Sequence, residues 1–178
     1  MRNTFKLNFW TYSFLAQKSK YSVIQSFMNI TMYTDGSSVG NPGPGGYGIV
    51  LMAGEHRKEL SKGYRFTTNN RMELMAVIVG LEALKIPQSK VTVFTDSQYV
   101  VNAVEKKWLI GWEKKNFEGK KNADLWQRFL KVYRTHTVNF KWIRGHDGNR
   151  ENERCDRLAV AAAQSAQLLD DTGYTPED

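Results

Sequence analysis

At 178 residues with a formal net charge of +7, the chain has the size of one domain with short extras at its ends. The charge points to a polyanionic partner, with nucleic acid ahead of an acidic membrane surface because no basic amphipathic helix stands out. A hydrophobic fraction of 41% and an aromatic fraction of 12% exclude a disordered chain, and the single cysteine, Cys155, excludes an internal disulfide and fits a reducing compartment. No apolar run is long enough to span a bilayer.

Residues 1–28 differ from the rest. They carry Arg2, Lys6, Lys18 and Lys20, no acid and no clean period. They read either as a transit-type segment, though with a single Arg and weak amphipathicity, or as an extension upstream of a start at Met28. In both cases they are expected to be poorly ordered or dispensable. Two echoing stretches follow, Tyr33-Thr34-Asp35-Gly36-Ser37 and Phe94-Thr95-Asp96-Ser97-Gln98. Each places an aspartate at the end of a β-branched run that reads as a strand. Gly40-Asn41-Pro42-Gly43-Pro44-Gly45-Gly46 is loop chemistry. It leads to a second strand at Tyr47 to Met52, a turn at Ala53 to His56 and a third strand at about Arg57 to Tyr64, together an antiparallel meander.

Thr67-Thr68-Asn69-Asn70 offers caps for the strongest helix, with Leu74, Val77, Ile78, Leu81 and Leu84 as its stripe and Pro87 closing it. Glu73 falls in its first turn on the core-facing side. The strand at Val91 follows, so its pairing with the first strand is parallel through a right-handed crossover. Gln98 to Val104 reads as a short helix. The stretch Lys106 to Lys121 interleaves Lys106, Lys107, Lys114, Lys115, Lys120 and Lys121 with Trp108, Trp112 and Phe117. A plain lysine run is a solvated face; lysines interleaved with aromatic rings fit a nucleic-acid groove better. Asn122 caps a further helix, Val138 to Ile143 alternates as a last strand, and Gly145 to Asn149 is a loop carrying His146. Asn152 to about Leu169 reads as a helix with a small face of Ala159, Ala162, Ala163 and Ala166. The tail, residues 170–178, is acidic and expected to be loose. The folded domain is thus residues 29–169.

Singly, Asp35 and Asp96 are explained by turn chemistry, Glu73 by the helix dipole, and His146 by plain exposure. Jointly they are harder to dismiss. Asp35 and Asp96 end neighbouring strands, Glu73 and Asp156 sit near helix N-termini, and sites in open sheets form outside the carboxyl ends of parallel strands. Four carboxylates gathered there repel one another unless they hold cations. Oxygen-only ligands favour Mg²⁺ or Mn²⁺ over Zn²⁺, and a pair of such ions drives in-line displacement at a phosphodiester.

The motifs Tyr33-Thr34-Asp35-Gly36-Ser37, Gly40-Asn41-Pro42-Gly43-Pro44-Gly45-Gly46-Tyr47-Gly48, Thr67-Thr68-Asn69-Asn70-Arg71-Met72-Glu73-Leu74, Thr95-Asp96-Ser97-Gln98-Tyr99-Val100, Gly145-His146 and Glu151-Asn152-Glu153-Arg154-Cys155-Asp156 resemble those of ribonuclease H of the bacterial type I family. The match runs in order from about Ile30 to the last helix. The resemblance implies an α/β fold with a five-stranded mixed sheet flanked by helices. It implies an endonuclease that cuts the RNA strand of an RNA/DNA hybrid, leaves 5′-phosphate and 3′-hydroxyl ends, and acts in primer and R-loop removal. On that pattern Asp35, Glu73, Asp96 and Asp156 hold Mg²⁺, two per site during catalysis with Mn²⁺ as a substitute, and His146 assists proton transfer or product release. Ser38, Asn41, Asn69, Asn70 and Gln98 contact the hybrid near the cut, Thr68 contributes to a phosphate pocket, and Lys106, Lys107, Trp108, Trp112, Lys114 and Lys115 form a basic protrusion. The family pattern also implies a cytoplasmic monomer with no membrane association.

Two features depart from the pattern. Between Trp112 and Asn122 the protrusion is shorter, and a tryptophan expected there is replaced by Phe117 or lost, which bears on affinity and not on chemistry. The first 28 residues have no counterpart. An integrase-like nuclease acting on DNA shares the carboxylates but is not expected to carry the Asn-Pro-Gly-Pro-Gly-Gly and Thr-Thr-Asn-Asn-Arg-Met-Glu motifs together. A hybrid-binding module without catalysis predicts a missing carboxylate, and all four are present.

Overall fold

The computed structural model describes residues 29–176, so the expectation for residues 1–28 lies outside the described residues. Three antiparallel strands open the fold: β1 (Asn29–Ser38), β2 (Gly43–Ala53) and β3 (His56–Thr67). Ala53 pairs with His56, so the meander turns tightly at Gly54-Glu55 as expected. The chain then crosses through helix α1 (Asn69–Glu82) to β4 (Lys90–Thr95), which runs parallel to β1. Helices α2 (Gln98–Glu105), α3 (Trp108–Lys114) and α4 (Ala123–Tyr133) lead to β5 (Thr137–Trp142), parallel to β4. Helix α5 (Arg150–Ala163) follows. The sheet order is β3-β2-β1-β4-β5, the five-stranded mixed sheet that the sequence predicts.

Alternation along β2 sorts the helices onto two faces, because successive strand residues point to opposite sides. Gly45 and Ile49 approach α1 at Met72 and Gly80, whereas Gly46 and Gly48 approach α5 at Ala159 and Cys155. Helix α1 is therefore wedged between the sheet and α4. That explains why Met72, Met75, Ala76 and Gly80 are buried beside the expected Leu74, Val77, Ile78 and Leu81. A one-sided stripe underestimates a helix covered on both sides. The helix also ends at Glu82, leaving Leu84 just beyond it. Trp126 and Phe129 of α4 join the same core as Met32, Val93 and Phe140.

Other differences have local causes. Helix α5 starts at Arg150, because the Asn149 side chain accepts from the Glu151 and Asn152 amides. It stops at Ala163, so Ala159, Ala162 and Ala163 are buried against the sheet while Ala166 lies beyond the helix and is exposed. Asn122 precedes α4 in a left-handed conformation with no side-chain cap; its amide instead donates to the Tyr99 hydroxyl (3.0 Å). The acidic tail, expected to be loose, is held through residue 174. Leu169 exchanges backbone hydrogen bonds with Gly63 and Arg65, and Asp171 is paired with the buried Arg71. None of the described helices is long and apolar enough to cross a membrane.

Candidate active site

The last parallel pair between β1 and β4 is Tyr33 with Phe94, whose rings stack at 4.8 Å. Two residues further on, each chain reaches its aspartate, Asp35 and Asp96. Asp96 follows the last residue of β4, as expected, but Asp35 does not end a strand: β1 continues to Ser38 against β2, with Asp35 opposite Gly48. Both aspartates thus stand where β4 stops, and the sheet edge opens beside them. Gly48 has no room for a side chain, since a Cβ there would lie 2.0 Å from the Cys155 carbonyl oxygen. This close contact brings α5, and Asp156 one residue further along it, against β2 near Asp35. On the other face Gly36 packs directly on the α1 backbone at Glu73. Glu73 is the fifth residue of α1 and not in its first turn, so the dipole explanation does not account for it. Its carboxylate accepts a short hydrogen bond from Ser97, the residue after Asp96.

Electrostatics confirms that the acids feel one another. Asp35 is pushed up to about 8 by burial first, then by the charges of Asp96 and Asp156, with Glu73 adding less; the Gly36 amide, 2.7 Å from Oδ1, pulls the other way. Glu73 is also raised, by burial and by Asp96, against the Ser97 hydrogen bond. Cys155 is buried and its thiol is pushed up by burial and by Asp35, so it is an inert neighbour of the site. His146 lies exposed in the loop between β5 and α5, with φ at +55°.

The polar turn meets the same edge. The Ser38 amide donates to Asn69 Oδ1 (2.6 Å), the Asn69 amide to Asn41 Oδ1 (3.2 Å), and Thr68 caps α1 by accepting from the Arg71 amide (3.4 Å). Asn70 and Gln98 are exposed at the starts of α1 and α2. The lysine- and aromatic-rich segment divides its work. Leu109 and Phe117 are buried, and Trp112 packs edge-on against Trp126 (5.6 Å) as an anchor. Trp108 is 45% exposed with the Lys106 ammonium 5.1 Å from its ring centroid, and Lys107, Lys114 and Lys115 are exposed.

The RNase H family profile matches residues 28–164. The chain belongs to the ribonuclease H family. It is 58% identical over 144 residues to a ribonuclease H of Desulforamulus reducens, covering 78% of this chain and 90% of that one. To a ribonuclease H of Trichodesmium erythraeum it is 55% identical over 150 residues, covering 82% and 95%. Among solved structures it is similar to LC9-RNase H1, a type 1 RNase H with the type 2 active-site motif, with a TM-score of 0.70 and 32% identity over 82% of this chain and 79% of that one. LC11-RNase H1 in complex with an RNA/DNA hybrid is similar at a TM-score of 0.57 and 27% identity, over 75% of this chain and 96% of that one.

In this ribonuclease H, as in its family, divalent metal is the expected cofactor, and the residues fit one. The donor set is all oxygen, and a cation would relieve both the burial of the Asp35 charge, the main cause of its raised pKa, and the repulsion from Asp96 and Asp156 that adds to it. Buried Asn152, whose Nδ2 stands 3.5 Å from Asp96 Oδ2, has an Oδ1 with no partner among the described residues, an atom that the hydration shell of an ion at this edge would satisfy. Among the described residues no three carboxylates, histidines or cysteines close a metal cage by themselves. Sequence reasoning missed Ser97, Asn152 and Arg71 as parts of this neighbourhood. All three lie inside the quoted motifs; only the fold shows what they touch.

Proposed function

We propose that the enzyme cleaves the RNA strand of RNA/DNA hybrids with Mg²⁺ bound by Asp35, Glu73, Asp96 and Asp156. The observation that carries this reading is the placement of Asp35 and Asp96 side by side where β4 ends, with Asp35 raised by burial first and then by its acidic neighbours. The hybrid-bound relative is consistent with it. Two divalent ions, when bound, would activate the attacking water and stabilise the leaving 3′-oxygen. The chain's own residues do the rest. Ser38, Asn41 and Asn69, linked by the hydrogen bonds above, and the exposed Asn70 offer a short polar surface for 2′-hydroxyls, which tell RNA from DNA without reading sequence. Gln98 flanks the cut and Thr68 faces a phosphate. His146, exposed on its loop, passes a proton to or from the reacting oxygens, since an imidazole can both donate and accept one. Water adds to phosphorus, the bond to the 3′-oxygen breaks, and that oxygen gains the proton. The products carry 5′-phosphate and 3′-hydroxyl ends. The segment Lys106 to Lys115 supplies affinity through phosphates. The same reading takes the enzyme as a cytoplasmic monomer that removes RNA primers and R-loops.

The test is a substrate panel of labelled RNA/DNA hybrid, RNA duplex, DNA duplex and single-stranded RNA with Mg²⁺, followed by analysis of the product ends. The expected result is cutting of the hybrid's RNA strand alone, with ends that a ligase requiring 5′-phosphate accepts. Cutting of duplex DNA would point to an integrase-like nuclease, and binding without cutting to a non-catalytic module.

A further inference from the structure

Arg71 is the only charged residue among the described ones that is buried as a whole, at 1% exposure. Its guanidinium is doubly bidentate. It donates from Nε and Nη2 to Asp171 (2.7 and 2.8 Å) and from Nη1 and Nη2 to Asp124 (2.9 and 2.8 Å). Asp124 lies in the first turn of α4 and Asp171 in the C-terminal tail. The Asp171 side chain is itself buried, and its Oδ2 also accepts from the Thr67 hydroxyl (2.7 Å).

One tail carboxylate therefore grips residues 67 and 71. Between them stand Thr68, Asn69 and Asn70. The tail is fixed on both sides of Asp171. Upstream, Leu169 pairs with the backbone of Gly63 and Arg65 (2.9 Å each). Downstream, the Tyr174 ring lies 5.8 Å from the Arg71 guanidinium and 5.6 Å from the Phe66 ring. The tail passes so close that a Cβ on Gly173 would lie 2.0 Å from Asp124 Oδ2 and 2.9 Å from Arg71 Nη2. Glu73 has separate anchors, Gly36 behind its backbone and Ser97 on its carboxylate.

We propose that Asp171 is a positioning residue for hybrid recognition: the tail is a strap that sets the Thr68-Asn69-Asn70 turn through Thr67 and Arg71. The inference rests on the reading of that turn as a hybrid contact. Because Glu73 is held independently, releasing the strap loosens the recognition turn and leaves the acid cluster in place. Substrate binding should suffer and turnover should not.

The experiment compares Asp171→Asn, Gly173→Ala, Asn70→Ala and Asp170→Asn in the full chain, at a temperature where circular dichroism finds each folded. Asp170, paired with Arg65 in solvent, controls for lost tail charge. The expected result for Asp171→Asn and Gly173→Ala is a rise in KM for hybrid of about tenfold with kcat within about twofold. Asp170→Asn should match the parent enzyme. A folded Asp171→Asn with unchanged KM, or with kcat falling as KM stays, overturns the strap's role. If Asp171→Asn does not fold, Gly173→Ala, which removes no charge, decides by the same criterion. If Asn70→Ala also leaves KM unchanged, the assignment of the turn to the hybrid fails, and this inference with it. If Asn70→Ala raises KM and the strap variants do not, the strap alone fails.

Discussion

Gly36 and Glu73 lie so close that a Cβ on Gly36 would sit 2.1 Å from the Glu73 backbone nitrogen. The contact seats α1 on β1 beside the residue next to Asp35. Gly36→Ala must push the helix away, since the obstacle is backbone and cannot rotate aside. Overpacking of this kind costs about 1–3 kcal/mol or more. A thermal melt should show that loss, and turnover should fall with it because the Asp35 to Glu73 spacing changes. An alanine variant with parental melting and turnover would mean that the helix is not seated as described.

Asp35 gives a pH prediction. Its pKa is raised from 3.8 to about 8, so the folded state holds the proton more tightly than the unfolded chain. The stability contributed by that proton is complete below pH 3.8 and is lost as pH rises toward about 8. The metal-free protein should therefore weaken across that window. Mg²⁺, which relieves the repulsion, should raise the melting temperature more at pH 8.5 than at pH 5.5. Asp35→Asn should stabilise the metal-free protein at pH 8.5 by at least about 1.4 kcal/mol, one pKa unit's worth. Equal Mg²⁺ effects at both pH values would contradict the clustering.

How much of this was legible in the sequence depends on distance along the chain. Asp35 and Asp96 each close a β-branched run, and a strand–helix–strand order implies that the runs pair in parallel, so their meeting could be read directly. Glu73 was found on the correct helix but one turn too early, because Thr68 caps it and the helix runs from Asn69. The grip of Asp171 on Arg71 spans 100 residues and leaves no local period. A short acidic run after a helix reads as solvated tail, and only the fold reveals that the buried guanidinium needs it. Phe117 likewise sits among lysines and reads as part of a binding surface, yet it is 5% exposed and belongs to the core.

The two tryptophans of the basic segment should separate in mutants. Trp112 packs on Trp126, whereas Trp108 is exposed under Lys106. Trp112→Ala should cost about 2–3 kcal/mol in denaturant unfolding. Trp108→Ala should leave unfolding nearly unchanged and raise KM for hybrid. Identical behaviour of the two would remove the distinction between anchor and contact.

Lys114, in the last turn of α3, and Lys115, just after it, are both exposed. Changed together to Ala, they should raise KM more than they lower kcat. They should also reduce the slope of log affinity against log salt by about one to two, the counterion count expected for two phosphate contacts. Equal loss of turnover at saturating hybrid would sink the binding assignment.

The most direct measurement is cleavage of an end-labelled RNA/DNA hybrid in Mg²⁺ by the parent enzyme and by Asp35→Asn, each with and without EDTA. The predicted result is cutting of the RNA strand by the parent only, abolished by EDTA, with the variant slower by about a thousandfold or more. Cutting by Asp35→Asn at the parental rate, or parental cutting that survives EDTA, would contradict a carboxylate-held metal site centred on Asp35.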